Sequence, residues 1–276
     1  MAEVTAAAVK ALREQTGQPM MDCKAALTEA AGDMEAAVRI LRERNKKVQE
    51  TRLGRDTEFG RIGIYIDQAK NVGAMVELLC ESAPVAGGTD VKQLATDLAQ
   101  QLATGPGASS AEELLKQPSP SKTKPTLGEQ KDDMFNRIRE VFNVGRMVRI
   151  NGKCAGYVHA TGDLASLVEY DGGDAATAKD IAMHIVASAP SAVNKENLDQ
   201  TEVEKERSFL TEQARAEGKP DNIIAKMIEG RMKNFYSARV LVEQPFVKEN
   251  TISVADVLKK AGMTVKQFVN WKLGGK

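Results

Sequence analysis

Five side chains carry most of the conventional chemistry available to this sequence: Cys23, Cys80, Cys154, His159 and His184. The three cysteines are odd in number and far apart, and no CxxC occurs. Neither a disulfide framework nor a zinc site is expected, and a reducing cytoplasm is the natural setting. Cys80 with His184 would supply the nucleophile and base of a thiol-dependent enzyme. Cys80 ends an apolar run, however, which favours a buried, inert thiol. His159, in Gly156-Tyr157-Val158-His159-Ala160, reads as a packed or edge-strand histidine. There is no GxxxxGK[ST] phosphate loop and no GxGxxG fingerprint. Gly87-Gly88-Thr89 lacks the lysine of a phosphate loop, and Gly172-Gly173-Asp174 is turn chemistry. With no metal set, no cofactor loop and only that one thiol pair, the chain reads as a binding protein.

Bulk properties narrow the partners. The 38 Lys plus Arg balance 38 Asp plus Glu, so a general polyanion binder is excluded, although a local patch is not; no direct nucleic-acid partner is expected. No apolar run approaches the ~18 residues of a membrane span. The start, Met1-Ala2-Glu3-Val4-Thr5, lacks the pattern of a signal peptide. A length of 276 residues allows about two domains. Aromatics make up only 4% of the chain, so its core must be aliphatic and methionine-rich.

The elements that would position these residues fall into four blocks. The first, to about residue 51, predicts three short helices. Thr5 caps the first and Gly17 ends it; Pro19 suits the first turn of the second and Gly32 stops it; Asp33 caps the third. Its basic tail, Arg42 to Arg55, reads as a solvated helix and linker. The second block predicts an antiparallel pair, Arg61–Ile66 and Ala74–Cys80, with Asn71 and Gly73 near the turn. A helix through Leu94, Leu98 and Leu102 follows. Gly105 to Gly128, with four prolines, reads as a solvated linker with a short helix at 112–116, and a further helix as 129–143.

The third block repeats the second. Ala95-Thr-Asp-Leu-Ala99 recurs 83 residues later as Ala178-Lys-Asp-Ile-Ala182, and Met75-Val76-Glu77 recurs 92 residues later as Leu167-Val168-Glu169. Two copies of one strand–strand–helix unit fit this pattern. The first copy carries nine more residues between strand and helix, within Glu81–Asp90. An elongated loop on a duplicated scaffold is either a functional loop or a neutral insertion. The fourth block is a helical hairpin. Thr201 opens a capping box, Val203, Leu210 and Ala214 form a stripe, Gly218-Lys219-Pro220 breaks the chain, and Asp221 or Asn222 caps the return helix. The stripe is either the seam between the two helices or a partner surface. A helix from Val254 and a strand over Gln267–Trp271 close the chain.

The run from Val9 to Leu27 (VKALREQTGQPMMDCKAAL), followed by Gly32-Asp33, closely resembles the N-terminal domain of bacterial elongation factor Ts. Ala178–Ala187, Gly218-Lys219-Pro220, Glu229-Gly230-Arg231 and Gln244-Pro245-Phe246-Val247 resemble later parts of that family in the same order. The resemblance implies an α+β fold: a three-helix ubiquitin-associated-like domain (1–55), a first core subdomain with linker and helix (56–145), and a second core subdomain (146–276) with a coiled coil at about 198–238.

It also implies a guanine-nucleotide exchange factor that binds elongation factor Tu, GDP-bound and nucleotide-free, in the cytoplasm, with no cofactor or metal of its own. By the same resemblance, Ser82, Ala83, Pro84 and Val85 form a loop that displaces the partner's Mg²⁺, and Leu12, Arg13, Met20 and Met21 are candidates to face that partner, although some of them must instead fill the small core. His184, which the repeat sets opposite Gln101 of the first copy, is either a partner-facing residue or a packing histidine with a satisfied ring nitrogen. The family's loop reads Cys-x-Thr-Asp-Phe-Val-Ala. Here the acidic slot is Ala83 and the aromatic slot Pro84. That departure keeps open a divergent member that binds without efficient exchange, and a thiol-dependent enzyme is a minor alternative.

Overall fold

The computed structural model describes residues 4–52, 54–217 and 220–274. Its packing divides the chain into two units: Met1–Tyr65 with Met75–Val148, and Ile66–Ala74 with Arg149–Gly275.

The first unit opens with three helices, α1 (Ala6–Thr16), α2 (Met20–Glu29) and α3 (Met34–Arg52). Thr5 Oγ1 accepts the Ala8 N–H at 3.2 Å, and Gly17 ends α1 at φ 66°. Asp33 Oδ1 accepts the Ala36 N–H at 2.9 Å and starts α3. Val9, Leu12, Cys23, Ala26, Leu27, Ala37 and Leu41 fill a small common core. Strands β1 (Phe59–Asp67) and β2 (Val72–Cys80) follow as a hairpin, with Asn71 at positive φ in its turn. Next come α4 (Ala83–Ala86), α5 (Thr89–Thr104), α6 (Ala111–Leu115), α7 (Leu127–Ile138) and β3 (Phe142–Asn151), and the sheet order is β1-β2-β3. Helix α5 passes so close to β1 that a Cβ at Gly63 would lie 1.9 Å from the Ala95 carbonyl oxygen, so only glycine fits there.

The stretch 105–126 is not a solvated linker. Leu114 is fully buried, Gln117 and Ser119 are buried, and Pro118 bridges Thr126. Asp97, itself buried on α5, accepts hydrogen bonds from Gln93 Nε2 (3.0 Å), Ser121 Oγ (2.6 Å) and Gln130 Nε2 (2.8 Å). Composition cannot distinguish polar side chains bonded to one another from those bonded to water, and here the network captures them. Helix α7 is also shorter than expected. It stops at Ile138 because Arg139 takes a left-handed conformation (φ 64°), and Phe142 and Asn143 already belong to β3.

The second unit holds β4 (Cys154–Val158), β5 (Leu164–Gly172), α8 (Ala175–Ser188), α9 (Gln200–Ala216), α10 (Asp221–Arg239), β6 (Pro245–Phe246), β7 (Glu249–Ser253), α11 (Val254–Ala261) and β8 (Met263–Lys272). Its sheet order is β4-β5-β8, antiparallel throughout. Ser166 Oγ donates to the Ala182 carbonyl at 2.7 Å and fastens α8 to β5. Arg231 pairs with Glu217, and Arg239 with Glu202, so α9 and α10 run in opposite directions. Val203, Leu210, Ala214, Ile224, Ile228 and Met232 form the buried seam between them. The cap of α9 is Asp199, accepting the Thr201 N–H, rather than Thr201 itself, because the helix already begins at Gln200. Pro220, not Asp221 or Asn222, is the cap of α10. Gly218 and Lys219 lie outside the described residues.

The repeat read from sequence reappears in the topology. Each three-stranded sheet has the second strand of its copy in the centre, and a helix follows that strand. Between strand and helix the first copy has residues 81–88 and the second only 173–174; the remainder of the nine-residue difference lengthens the start of α5 relative to α8.

Replacing Asp97 by Ala orphans the buried Gln130 amide and removes the acceptor that ties in the exposed Gln93 and Ser121, and is expected to destabilise the protein by on the order of 2 kcal/mol. Chemical denaturation measures this, and limited proteolysis should newly cut within 105–126. An unchanged denaturation midpoint would show that the network is not what holds this stretch.

Candidate functional site

The loop that distinguishes the two copies leaves β2 at Cys80. Ser82 precedes α4, a single turn in which Pro84 is the second residue. Proline suits this position, since its φ is fixed near −65° and no amide hydrogen is needed there. Ala83 and Pro84 are exposed, Val85 is half-buried, and Ala86 is buried as the anchor of the turn. Ser82 points the other way: its Oγ donates to Glu140 Oε1 at 2.6 Å and its N–H to Glu140 Oε2 at 3.1 Å. The outward tip of the loop is therefore Ala83-Pro84, and the Ser82 hydroxyl is a tether.

A reciprocal set of bonds runs beside it. Glu81 Oε1 accepts the Val141 N–H at 2.8 Å, and Glu81 Oε2 accepts from Arg55 Nη1 at 2.9 Å. Burial pushes the Glu81 carboxyl up, but the Val141 amide and the Arg55 guanidinium outweigh it and hold it below the usual range. Burial raises the Cys80 thiol to about 11, and its Sγ donates to the Ser82 carbonyl at 3.4 Å. Such a thiol stays protonated near neutral pH and is no nucleophile.

In the three-helix segment the candidate residues divide by exposure. Leu12 is wholly buried in the core of α1–α3 and cannot meet a partner. That position on α1 faces the small core, which has few large residues to fill it. Arg13 is exposed, and Met20 and Met21 are 53% and 72% exposed. Two neighbouring exposed methionines offer an adaptable apolar contact. The basic tail is not free of structure: Asn45 is buried, Arg44 pairs with Glu29, and Arg52 donates to the Arg139 carbonyl.

His184, a candidate for a partner-facing surface, is buried on α8. Its Nδ1 accepts the Val247 N–H at 3.1 Å, which leaves Nε2 to carry the proton and donate to Gln244 Oε1 at 3.0 Å. Gln244 Nε2 in turn donates to the carbonyls of Ser188 (3.3 Å) and Ala238 (3.1 Å). Both ring nitrogens are thus engaged, so His184 is a packing residue and the proposed base for Cys80 is unavailable. His159 is half-buried just past β4, with Nδ1 2.7 Å from Thr161 Oγ1. Among the described residues no group of three or more His, Cys, Asp or Glu side chains could hold a metal, and no helix is long and apolar enough to cross a membrane.

The bonding roles of Glu140, Glu81, Arg55 and Arg139 have no signal in the sequence around them. Their partners lie tens of residues away, and the left-handed Arg139 stands where glycine would have signalled the turn.

Burial lowers the His184 pKa, only partly opposed by Gln244. A proton on Nδ1 would also face the Val247 N–H. The folded state therefore takes up this proton at lower pH than the unfolded chain, which binds it near pH 6.5. Stability from this site is full above that pH and is lost as pH falls through the depressed folded value. The melting temperature is expected to drop between pH 7 and 5.5 more steeply in the natural protein than in His184→Gln, read by calorimetry. Parallel profiles would contradict a buried neutral histidine.

Comparison with known sequences gives one consistent result. A family model described as Elongation factor TS matches residues 84–275. The chain is 39% identical over 274 residues to an elongation factor Ts of Methylococcus capsulatus, covering 98% of this chain and 92% of that protein. It is 36% identical over 294 residues to that of Aquifex aeolicus, covering 97% of each. It is 38% identical over 280 residues to that of Streptomyces ramocissimus, covering 99% of this chain and all of that protein.

Proposed function

The chain belongs to the elongation factor Ts family, and on that premise we propose that it binds elongation factor Tu, GDP-bound and nucleotide-free, and promotes GDP release in the cytoplasm without covalent chemistry of its own. The observation that carries this reading is the α4 turn, an exposed Ala83-Pro84 tip on a tethered base, in a loop the second copy lacks. We read Ser82–Val85 as the segment that reaches the partner's Mg²⁺ site, with Ala83 and Pro84 making the contact. We read Arg13, Met20 and Met21 as the docking face of a ubiquitin-associated-like domain at 1–55. The two α+β copies correspond to core subdomains at 56–145 and 146–276, and α9–α10 to a coiled coil at about 198–238.

The energetics follow from linkage. A factor that speeds GDP loss must bind the nucleotide-free partner more tightly than the GDP–Mg²⁺ form, and nucleotide must weaken factor binding by the same ratio. Losing the cation removes charge neutralisation from the diphosphate. The tip can contribute by occupying space the cation needs. Ala83 supplies no carboxylate, and Pro84 buries less apolar area than a phenylalanine would. Its rigidity works in the other direction, since little conformational freedom remains to be lost on insertion. A second reading, a factor that binds without efficient exchange, is favoured by these same two side chains.

Stopped-flow release of a fluorescent GDP analogue from the cognate elongation factor Tu separates the readings. The first predicts strong acceleration by the factor at millimolar Mg²⁺; binding with no acceleration would select the second. Ala83→Asp with Pro84→Phe is expected to speed release further at saturating factor, and lowering Mg²⁺ should shrink that gain. A double variant no faster at high Mg²⁺ would overturn the wedge assignment. Met20→Ala with Met21→Ala should weaken binding about tenfold or more while leaving the melting temperature unchanged, because both side chains are exposed. Unchanged affinity in a calorimetric titration would remove these residues from the docking face.

A further inference from the structure

The α4 turn does not hold itself in place. Four residues fall far short of the length at which a helix is stable alone. No side chain caps it from within, because the Ser82 hydroxyl is turned toward Glu140. The turn is held from outside instead. Both carboxylate oxygens of Glu140 are used on one residue, Oε1 on the Ser82 hydroxyl and Oε2 on the Ser82 amide. A two-point grip fixes direction as well as distance, and bonds to an ionised acceptor are the stronger kind. The neighbouring residues close the same clasp in the opposite sense, Glu81 Oε1 taking the Val141 amide. Glu81-Ser82 and Glu140-Val141 thus bind each other reciprocally, just beyond the ends of β2 and β3.

We infer that Glu140 is a positioning residue for nucleotide release: its carboxylate sets the direction in which the Ala83-Pro84 tip projects. The inference rests on the functional reading above. It assigns Glu140 no contact with partner, nucleotide or metal. With Asp and Phe absent from the tip, the direction of a rigid backbone turn is most of what this loop has to offer, so its tether carries more weight than the tip side chains do.

Two measurements test it. In the first, the full chain without a partner is compared with Glu140→Ala by amide hydrogen exchange resolved by residue. The amides of Ser82, Ala86 and Gly88 should exchange about tenfold faster or more, with those of β2 unchanged. In the second, GDP release from the cognate elongation factor Tu is titrated with factor. Glu140→Ala should lower the saturating rate by about tenfold to a hundredfold with little change in the half-saturating concentration, as expected when a reacting group is misplaced and not lost. Glu140→Gln, which keeps one acceptor oxygen, should fall between. Ser82→Ala combined with Glu140→Ala should be no slower than Glu140→Ala alone.

A loop whose amides stay protected in Glu140→Ala would overturn the inference. So would a loosened loop with an undiminished saturating rate, or a change confined to the half-saturating concentration. If the natural chain itself fails to accelerate release, the functional reading falls. Unaltered exchange at Ser82 would then also sink the clasp, whereas faster exchange would leave Glu140 as the tether of the turn.

Discussion

A single left-handed residue organises the first unit. Arg139 ends α7 at φ 64°, its N–H bonding to the Phe135 carbonyl at 2.7 Å. For a residue with a Cβ this conformation is unfavourable by roughly 1–2 kcal/mol. The side chain offsets that strain: Nη1 donates to Asn45 at 3.0 Å, and Nη2 donates to Gln18 at 2.9 Å and to Asp22 at 2.8 Å. Arg52 donates to its carbonyl. Because the backbone reverses here, the side chain of Arg139 reaches the three helices while the next residue, Glu140, reaches the loop after β2. Two residues earlier, Arg137 pairs with Asp90 at the start of α5, and a Cβ on Gly17 would lie 2.7 Å from its Cγ. Within about five residues the chain touches the three N-terminal helices, the loop after β2 and the helix behind it.

The two copies show what that corner adds. Each copy places a glutamate on its central strand and pairs it with the third strand of its sheet, Glu77 with Arg146 and Glu169 with Lys266. These pairs belong to the shared scaffold. The divergence lies at the strand-to-helix connection. In the second copy only Gly173 and Asp174 intervene, and Asp174 caps α8. In the first, eight residues intervene and need a clasp. The second copy places its extra chain elsewhere, between α8 and β6, where α9 and α10 bury a seam of their own and the segment returns through Gln244 to His184. One scaffold has therefore been extended at two different points, once for a short tip and once for a long arm.

Much of this was legible in the sequence, and the reasons are local. Thr5, Gly17 and Asp33 announce helix ends through their own backbone chemistry. The repeat offsets located the elongated loop without any structure, because strand and helix patterns drift apart by a countable number of residues. What failed was non-local. Nothing near Ser119 or Gln130 says that they meet Asp97 and not water. Leu12 and Met20 are both apolar, and only packing sends one inward and leaves the other out. Sequence leaves His184 open between a partner-facing and a packing residue, because Val247 and Gln244, which engage both its nitrogens, lie some sixty residues on. Arg139 gave no turn signal, since arginine rarely adopts positive φ unless its side chain is held as firmly as it is here.

The Arg139-Glu140 corner holds the three N-terminal helices and the loop after β2 in one fixed relation. The most direct measurement is the distance distribution between spin labels at Met21→Cys and Ala83→Cys, both exposed sites within the first unit. The native cysteines are buried and would stay unlabelled. One narrow distance is expected, and it should broaden when Arg139→Ala removes the side chain while keeping the backbone demand. A distribution equally narrow with and without that side chain would contradict it.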